Sequence, residues 1–367
     1  MRRYGLFFVM VFFAAVFAVS VPAQAESGDV PAACGKIREA LDAKNYEAVV
    51  SLSTECLKAE NLDDSSRQMA IATRGLANER LRRLKDALRD YSQAIVMPDP
   101  WIQLYSHRAT VYYELGMKNE AFLDLDAMVR IWPGSAMAHG KRGFMHSVER
   151  RYRKALPDLD RSIELDPKNA NMFNTRGYVH DRLGDMDRAI ADYTEAIRLR
   201  PDYAMHHSNR GNAHRAAGNM EQAIGDFTEA IRLSPQDERV YCNRGIAYCD
   251  MGQFGKGIED FVKALELKPG DIPSLASFAK ALVLVDDPEA RDPILALKLA
   301  EAAVVREKSS LTLNALAAVH AAAGRYRLAT KYTEDSLAAA KQFGRDTGRI
   351  EACLSAYRSN RRCTPEF

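Results

Sequence analysis

The chain has 367 residues, of which 51 are basic and 49 acidic, and its formal net charge is only +2. A nearly neutral chain is poorly suited to holding nucleic acid through bulk electrostatic attraction. It also contains no Walker loop, no nucleophile elbow, no His-Glu-x-x-His sequence and no Cys-x-x-Cys pair, so we expect no enzymatic activity and no cofactor.

Residues 1–25 have the composition of a secretory signal peptide. Arg2 and Arg3 are the only charges in this segment, residues 6–21 form an apolar run, and Ala23-Gln24-Ala25 is a small-x-small cleavage site. The run is shorter than the ~20 residues that a membrane-spanning helix needs, which favours a cleaved signal over an uncleaved anchor. We therefore expect an exported protein. The absence of Asn-x-Ser/Thr sequons favours a bacterial periplasm over a eukaryotic lumen.

A repeat with a strict period of 34 residues follows, and proline marks it at Pro133, Pro167, Pro201, Pro235 and Pro269. Such self-similarity is typical of a solenoid of helical hairpins, each of which buries its apolar face against its neighbours. Small residues keep the same register and allow two helices to cross closely, while the proline ends the second helix. The small positions are Gly75, Ala109, Gly143, Gly177, Gly211 and Gly245 in the first helix, and Ala87, Ala121, Ala155, Ala189, Ala223 and Gly257 in the second.

In these residues the chain resembles the tetratricopeptide repeat (TPR) family, above all in residues 170–203 and 204–237, which carry nearly the whole pattern. The resemblance implies an all-α fold, a right-handed α-solenoid of about nine antiparallel helical hairpins with a C-terminal capping helix. The first helix of each hairpin is helix A and the second is helix B. Glycine occupies the turn between them in several hairpins, but Arg82 and Arg150 stand there in two others. We expect those two turns to be strained or differently shaped.

The repeat register divides the chain into five segments. Residues 1–25 are the signal peptide, residues 26–67 are a lead-in with a degenerate first repeat, and residues 68–271 are six regular 34-residue repeats. Residues 272–343 form two degenerate repeats, and residues 344–367 form the capping helix and tail. Atypical repeats at the ends are expected because they must cover the last apolar faces of a solenoid.

Arginine and aspartate form a second ladder with the same period. In every regular repeat the arginine precedes the aspartate by 16 residues, an offset that lets a side chain in the middle of helix A reach the middle of helix B. We predict structural, partly buried ion pairs rather than a basic stripe for an anionic ligand. The pairs are Arg74–Asp90, Arg108–Asp124, Arg142–Asp158, Arg176–Asp192, Arg210–Asp226 and Arg244–Asp260.

Six cysteines allow several disulfide pairings in an oxidising compartment. Cys34 and Cys56 lie on the two helices of one hairpin, at ends that antiparallel packing brings together. Cys353 and Cys363 would tie the tail to the last helix. We therefore predict these two bonds as candidates.

Cys242 and Cys249 lie on one predicted helix and are about 10 Å apart by helix rise, beyond the reach of a disulfide. They are either packed thiols or reactive groups. Histidine also recurs in the repeat register, at His146, His180 and His214. No carboxylate or cysteine accompanies these histidines at ligand spacing, so we predict packed side chains and no metal site.

TPR proteins hold an extended peptide or a partner's helix against their A helices, and the resemblance carries those contact positions over to this chain. The resulting wall is mixed and rich in amides, so a neutral or amphipathic polypeptide is the expected partner. The positions are Asn171, Asn174, Tyr178, Asp181, Arg182, Met205, Ser208, Asn212, Arg215, Arg239, Ile246 and Asp250.

These features predict an exported, non-enzymatic interaction scaffold with a protein or peptide partner. Nucleic acid is not an expected partner, and contact with a membrane is expected only through an uncleaved signal segment. Two alternatives stay open. One is a metal- or redox-handling protein that uses histidine and cysteine on its A helices, and the other is a solenoid that assembles end to end. The sequence leaves the identity of the partner and the oligomeric state open.

Overall fold

The computed structural model describes residues 32–285, 288, 291–343 and 346–363, and within these ranges the chain forms nineteen α-helices and no β-strand. The predicted signal peptide lies outside the described residues. The helices are α1 (Ala32–Asp42), α2 (Tyr46–Cys56), α3 (Asp64–Arg80), α4 (Leu84–Ile95), α5 (Ile102–Glu114), α6 (Lys118–Ile131), α7 (Ala136–Val148), α8 (Tyr152–Leu165), α9 (Ala170–Leu183), α10 (Met186–Leu199), α11 (Ala204–Ala216), α12 (Met220–Leu233), α13 (Glu238–Asp250), α14 (Phe254–Leu267), α15 (Ile272–Leu284), α16 (Pro293–Arg306), α17 (Ser310–Ala322), α18 (Tyr326–Gln342) and α19 (Gly348–Arg358). None of these helices is both long and apolar enough to cross a membrane.

The all-α prediction is confirmed, and the helices follow one another in the order A then B. Nine such pairs run from α1–α2 to α17–α18, and α19 packs against α18. By their contacts the residues separate into two compact units, one that ends at Thr175 and one that begins at Arg176, inside α9. We call them unit 1 and unit 2.

The small residues of helix A hold the aromatic side chains of helix B at close range. A Cβ atom on Gly211 would lie 2.8 Å from Cε1 of Phe227, and one on Gly245 would lie 2.8 Å from Cε1 of Phe261. Both aromatic rings are fully buried. Because Cβ atoms do not approach other atoms so closely, a larger residue at either glycine would force the two helices apart.

The turn between helices A and B contains a left-handed residue in eight hairpins. Five of these residues are glycines, and the other three are Lys44, Arg82 and Arg150, with φ of 55°, 61° and 57°. The two arginine turns therefore have the same left-handed conformation as the glycine turns. These turns are strained, but their shape does not differ. A left-handed conformation costs an ordinary L-residue roughly 1–2 kcal/mol.

The structure brings together the partners of all six predicted Arg–Asp pairs. In a typical case, Nε and Nη2 of Arg210 donate to the two carboxylate oxygens of Asp226 at 2.9 and 2.7 Å. Nη1 of the same arginine donates to Oγ1 of Thr194 in the preceding hairpin at 3.2 Å. This second contact was not predicted. It means that the ladder joins successive hairpins as well as the two helices of one hairpin.

Two disulfide bonds lie near the two ends of the described chain. Cys34–Cys56 joins α1 to α2 with Cα atoms 5.0 Å apart, and Cys353–Cys363 joins α19 to the segment that follows it, with Cα atoms 5.1 Å apart. In oxidising surroundings such bonds restrict fraying of the terminal helices, because these have a neighbour on one side only.

The two remaining cysteines are free and buried. Cys242 is 2% exposed and Cys249 is 4% exposed. Burial raises the pKa of each thiol to about 12. Neither group is therefore a reactive thiolate at neutral pH, and both act as small apolar side chains in the core.

Candidate polypeptide-binding site

Three A helices of unit 2 lie next to one another, since α11 contacts α13 and α13 contacts α15. Most of the predicted contact residues of unit 2 belong to these helices. We call the surface that they form the A-helix face; it consists of Met205, Ser208, Asn212, Arg215, Ile246 and Asp250. All six side chains are half-buried, so they lie at the boundary between the packed core and solvent.

An ion pair crosses the A-helix face from one helix to the next. Nη1 of Arg215 on α11 donates to Oδ2 of Asp250 on α13 at 3.3 Å, and the two side chains are 31% and 12% exposed. Nε of Arg215 is buried and has no hydrogen-bond partner among the described residues. This nitrogen is closed to solvent, so any contact of the guanidinium with a ligand must use the part of the side chain that is exposed.

A buried lysine on the third helix extends this charged group. Lys280 on α15 is 3% exposed, although its neighbours from Leu275 to Val283 are apolar or small. Burial lowers the pKa of the amine to about 8, while the negative charge of Asp250 opposes the shift. Sequence reasoning missed this residue. A single lysine inside an apolar helical run was the available signal, because lysine is seldom buried without a specific role.

The rest of the A-helix face is uncharged. Ser208 and Asn212 offer a hydroxyl and an amide, whereas Met205 and Ile246 offer apolar surface. Ile246 also packs against the core that surrounds Phe261. The combination of hydrogen-bonding groups and small apolar patches suits a polypeptide better than a highly charged ligand.

Arg239 was predicted on the same surface, but its guanidinium forms an ion pair with a residue close to it in the sequence. Its side chain is exposed, and its Nε and Nη2 donate to the carboxylate of Asp237 at 2.9 and 2.7 Å. Asp237 also accepts a hydrogen bond from the backbone at the start of α13. The pair thus belongs to the cap of this helix.

Helix α9 carries three further predicted contact residues. Tyr178 is half-buried and packs against the core around Tyr193. Burial raises the pKa of Asp181, and the positive charge of Arg182 opposes this shift. Arg182 is exposed. These side chains provide one packed aromatic ring and two charged groups at the start of unit 2.

The last two predicted contact residues, Asn171 and Asn174, lie at the end of unit 1. Asn171 is half-buried, but Asn174 is fully buried at 0% exposure, so the prediction that it faces a ligand is wrong. Ser106 and Cys242 occupy the same register position and are 6% and 2% exposed, whereas Ser208 is half-buried. This position of helix A therefore lies mostly on its packed side.

Among the described residues, no three His, Cys, Asp or Glu side chains are grouped as ligands for a metal ion. Two of the histidines have a structural contact instead. Nε2 of His139 lies 3.0 Å from the carbonyl oxygen of Pro133, and Nε2 of His207 lies 2.9 Å from that of Pro201. Each ring thereby links helix A to the proline segment that precedes it.

Helical hairpins that follow one another in a fixed register, with small residues at the helix crossings, define an α-solenoid repeat protein. The sequence pattern of the tetratricopeptide repeat matches residues 148–204, 175–238 and 238–271. Residues 148–271 therefore carry tetratricopeptide repeats. The fold is therefore that of a protein–protein interaction scaffold.

Similar proteins are found among curated sequences and solved structures. DnaJ homolog subfamily C member 7 of Homo sapiens is 30% identical over 82 residues, which cover 22% of this chain and 17% of that protein. A tetratricopeptide repeat protein from Parabacteroides merdae ATCC 43184 has a TM-score of 0.52 at 18% identity, over 70% of this chain and 98% of that one. The APC/C hetero-tetramer Cut9–Hcn1 has a TM-score of 0.56 at 17% identity, over 89% of this chain and 75% of that one. At these identities the structural likeness shows the fold alone.

Proposed function

We propose that the protein is a non-enzymatic scaffold that binds an extended polypeptide on the A-helix face of unit 2. The observation that carries this proposal is the charged group formed by Arg215, Asp250 and Lys280. It draws one side chain from each of three adjacent A helices; Lys280 is buried, and the exposed part of the group, Arg215 and Asp250, joins two successive repeats.

A polypeptide matches the chemistry of this face. Its backbone carbonyl groups can accept hydrogen bonds from the amide of Asn212 and from the exposed part of the Arg215 guanidinium, and its side chains can cover Met205 and Ile246. Because each A helix contributes only a few side chains, the contacts are spread over successive repeats rather than concentrated in one pocket.

The same proposal places the protein outside the cytosol. Disulfide bonds persist in oxidising compartments and are rare in the cytosol, and the Cys34–Cys56 and Cys353–Cys363 bonds support export for this reason. The signal peptide predicted over residues 1–25 agrees with such a setting. Mass spectrometry of the protein from its native host tests export directly: a chain that begins at Glu26 is expected, and a chain that keeps Met1 in the cytosolic fraction contradicts it.

Site-specific crosslinking in the native host tests the binding face. A photoreactive residue in place of Asn212 should capture a polypeptide. The double change Asn212→Ala and Arg215→Ala should weaken capture more than tenfold, which corresponds to about 1.4 kcal/mol. Because Arg215→Ala leaves Asp250, which is 12% exposed, without its ion-pair partner, capture is compared below the melting temperature of the double variant, and Asn212→Ala alone serves as the variant of nearly unchanged stability.

Glu195→Ala and Glu229→Ala provide the matched control. These side chains lie on helix B and pair only with Arg198 and Arg232 on their own helices, so capture should persist. If the control abolishes capture while the A-helix variant retains it, the binding surface lies on the B helices and the proposal is wrong.

A further inference from the structure

The turns between helices A and B in unit 1 are joined to their neighbours by ion pairs. These pairs connect the turn of each hairpin with the corresponding end of the next or the previous hairpin, and they involve exposed or partly exposed side chains. They are Arg83–Glu47, Arg82–Glu114 and Lys118–Glu149, with N–O distances of 2.7, 2.5 and 2.7 Å. The ion pairs therefore join the turns of four successive hairpins, of which the last three form the surface considered next. We call residues 79–86, 113–120 and 147–154 the turn edge.

The turn edge carries an excess of positive charge. Its residues include nine basic and five acidic side chains. The same register positions in unit 2 include four basic and five acidic side chains, in residues 181–188, 215–222 and 249–256. The excess is thus a property of unit 1 and not of the repeat pattern.

Several of these cations have no anionic partner. Lys85, Arg150, Arg153 and Lys154 are exposed, and none of their side chains has a hydrogen bond or an ion pair with another described residue. They come from two turns, on either side of the turn that contains Lys118. Their charge is therefore available to a partner outside the described chain.

Three turns of unit 1 contain a basic residue in a strained, left-handed backbone conformation. Lys44, Arg82 and Arg150 occupy the left-handed turn position in three of the four hairpins of unit 1. In unit 2, the left-handed residues in the turns between helices A and B are all glycines: Gly184, Gly218, Gly252 and Gly324. Glycine takes this conformation without strain. A basic residue therefore stands where glycine would be unstrained, and backbone strain of this kind is often found at functional surfaces.

We propose that the turn edge of unit 1 binds the anionic headgroups of a membrane surface. Its cations are long, exposed and distributed over successive turns instead of converging on a pocket, which fits a broad anionic plane. Met117 is also exposed in the central turn and can contact the interface. Each lysine or arginine close to an anionic leaflet adds to the affinity. The turn edge belongs to unit 1 and the A-helix face to unit 2, so this proposal does not depend on the polypeptide-binding function.

Sedimentation of the full chain with lipid vesicles tests the proposal. Vesicles of phosphatidylcholine mixed with phosphatidylglycerol should bind the protein, and pure phosphatidylcholine vesicles should bind it far less. The triple change Lys85→Gln, Arg153→Gln and Lys154→Gln should lower the partition coefficient more than tenfold. Salt should weaken binding by the wild type.

The changes Arg188→Gln and Lys256→Gln, in the turns of unit 2, form the matched control and should leave binding unchanged. Arg150→Gly is the most discriminating variant, because it removes one cation and the strain together. It should weaken vesicle binding about fivefold while raising the melting temperature, an opposition that loss of folding cannot produce.

Equal vesicle binding by the wild type and the triple variant would overturn the proposal. So would binding to poly-glutamate without binding to anionic vesicles, since the surface would then recognise an acidic polypeptide. A lower melting temperature for Arg150→Gly would show that this arginine is structural and would contradict the interpretation of the strain.

Discussion

Arg244 and Asp260 are joined by two parallel hydrogen bonds, from Nε and Nη2 of the guanidinium to the two carboxylate oxygens, each 2.8 Å long. Asp260 is 5% exposed. The remaining Nη1 donates to Oγ1 of Thr228 in the preceding hairpin at 3.1 Å. One arginine therefore holds together helix A, helix B and the hairpin before them.

Replacing Asp260 with alanine should destabilise the protein by about 3 kcal/mol, because the change leaves a partly buried guanidinium without its carboxylate. Glu259→Ala is the control, since Glu259 is the exposed neighbour of Asp260 on the same helix and should cost under ~0.5 kcal/mol. Urea unfolding of both variants provides the comparison. Equal losses would show that the Arg–Asp ladder contributes nothing beyond an ordinary surface charge.

Replacing Gly245 with alanine should destabilise the protein by about 1–3 kcal/mol, because a Cβ atom there would lie 2.8 Å from the Phe261 ring and 3.0 Å from the carbonyl oxygen of Gly257. Gly225→Ala should have the opposite sign. No atom lies within 4 Å of a Cβ atom at Gly225, and alanine favours a helix over glycine by about 1 kcal/mol. Thermal unfolding monitored by circular dichroism would distinguish the two, and a stabilising Gly245→Ala would refute the close helix crossing.

The buried amine of Lys280 predicts a pH dependence of stability. Its pKa is lowered from 10.5 to about 8 by burial, so at pH values between these limits the unfolded chain binds more protons than the folded one. Stability linked to this group should therefore rise with pH across that window, by up to ~1.4 kcal/mol per pH unit.

The measurement is the difference in unfolding free energy between the wild type and Lys280→Met at several pH values. A difference is needed because the buried thiols of Cys242 and Cys249, whose pKa values are raised, titrate in the same range in both proteins. The wild type should gain relative to the variant between pH 8 and pH 10. A constant difference would show that Lys280 titrates like an exposed lysine.

Thiol labelling should separate the six cysteines into two classes. The native protein should take up almost no iodoacetamide, because four cysteines are in disulfides and the other two are buried with raised pKa values. Unfolding without a reductant should expose only Cys242 and Cys249, which peptide mass spectrometry would identify. Labelling of Cys34 or Cys363 under these conditions would contradict the disulfide assignment.

Much of the fold was predictable because the repeat period reflects a physical requirement. Prolines and small residues at one spacing mark where helices end and cross, and the offset between Arg210 and Asp226 matches the geometry of a helical hairpin. The contact of Arg210 with Thr194 was harder to foresee. It depends on how one hairpin packs on the previous one, and the pattern within a single repeat does not contain that information.

The candidate site was less predictable than the fold. Contact positions taken from a repeat pattern specify a register along helix A, but not the depth at which each side chain lies. Asn174 is therefore buried although it was expected to face a ligand, and Lys280 was missed because it lies in an apolar run. Burial depends on the neighbouring helices of the individual repeat, which the sequence of one helix does not reveal.

The matching double contacts of Arg210 and Arg244 make the repeat at residues 204–237 removable without loss of a partner. Arg244 touches Thr228, 16 residues before it, and Asp260, 16 residues after it. If residues 204–237 were removed, Thr194 would take the place of Thr228 beside Arg244, and no arginine would lose a neighbour. Because the joints at Arg210 and Arg244 carry the same partners, the chain can gain or lose a repeat between them during evolution without an unmatched charge at the new junction.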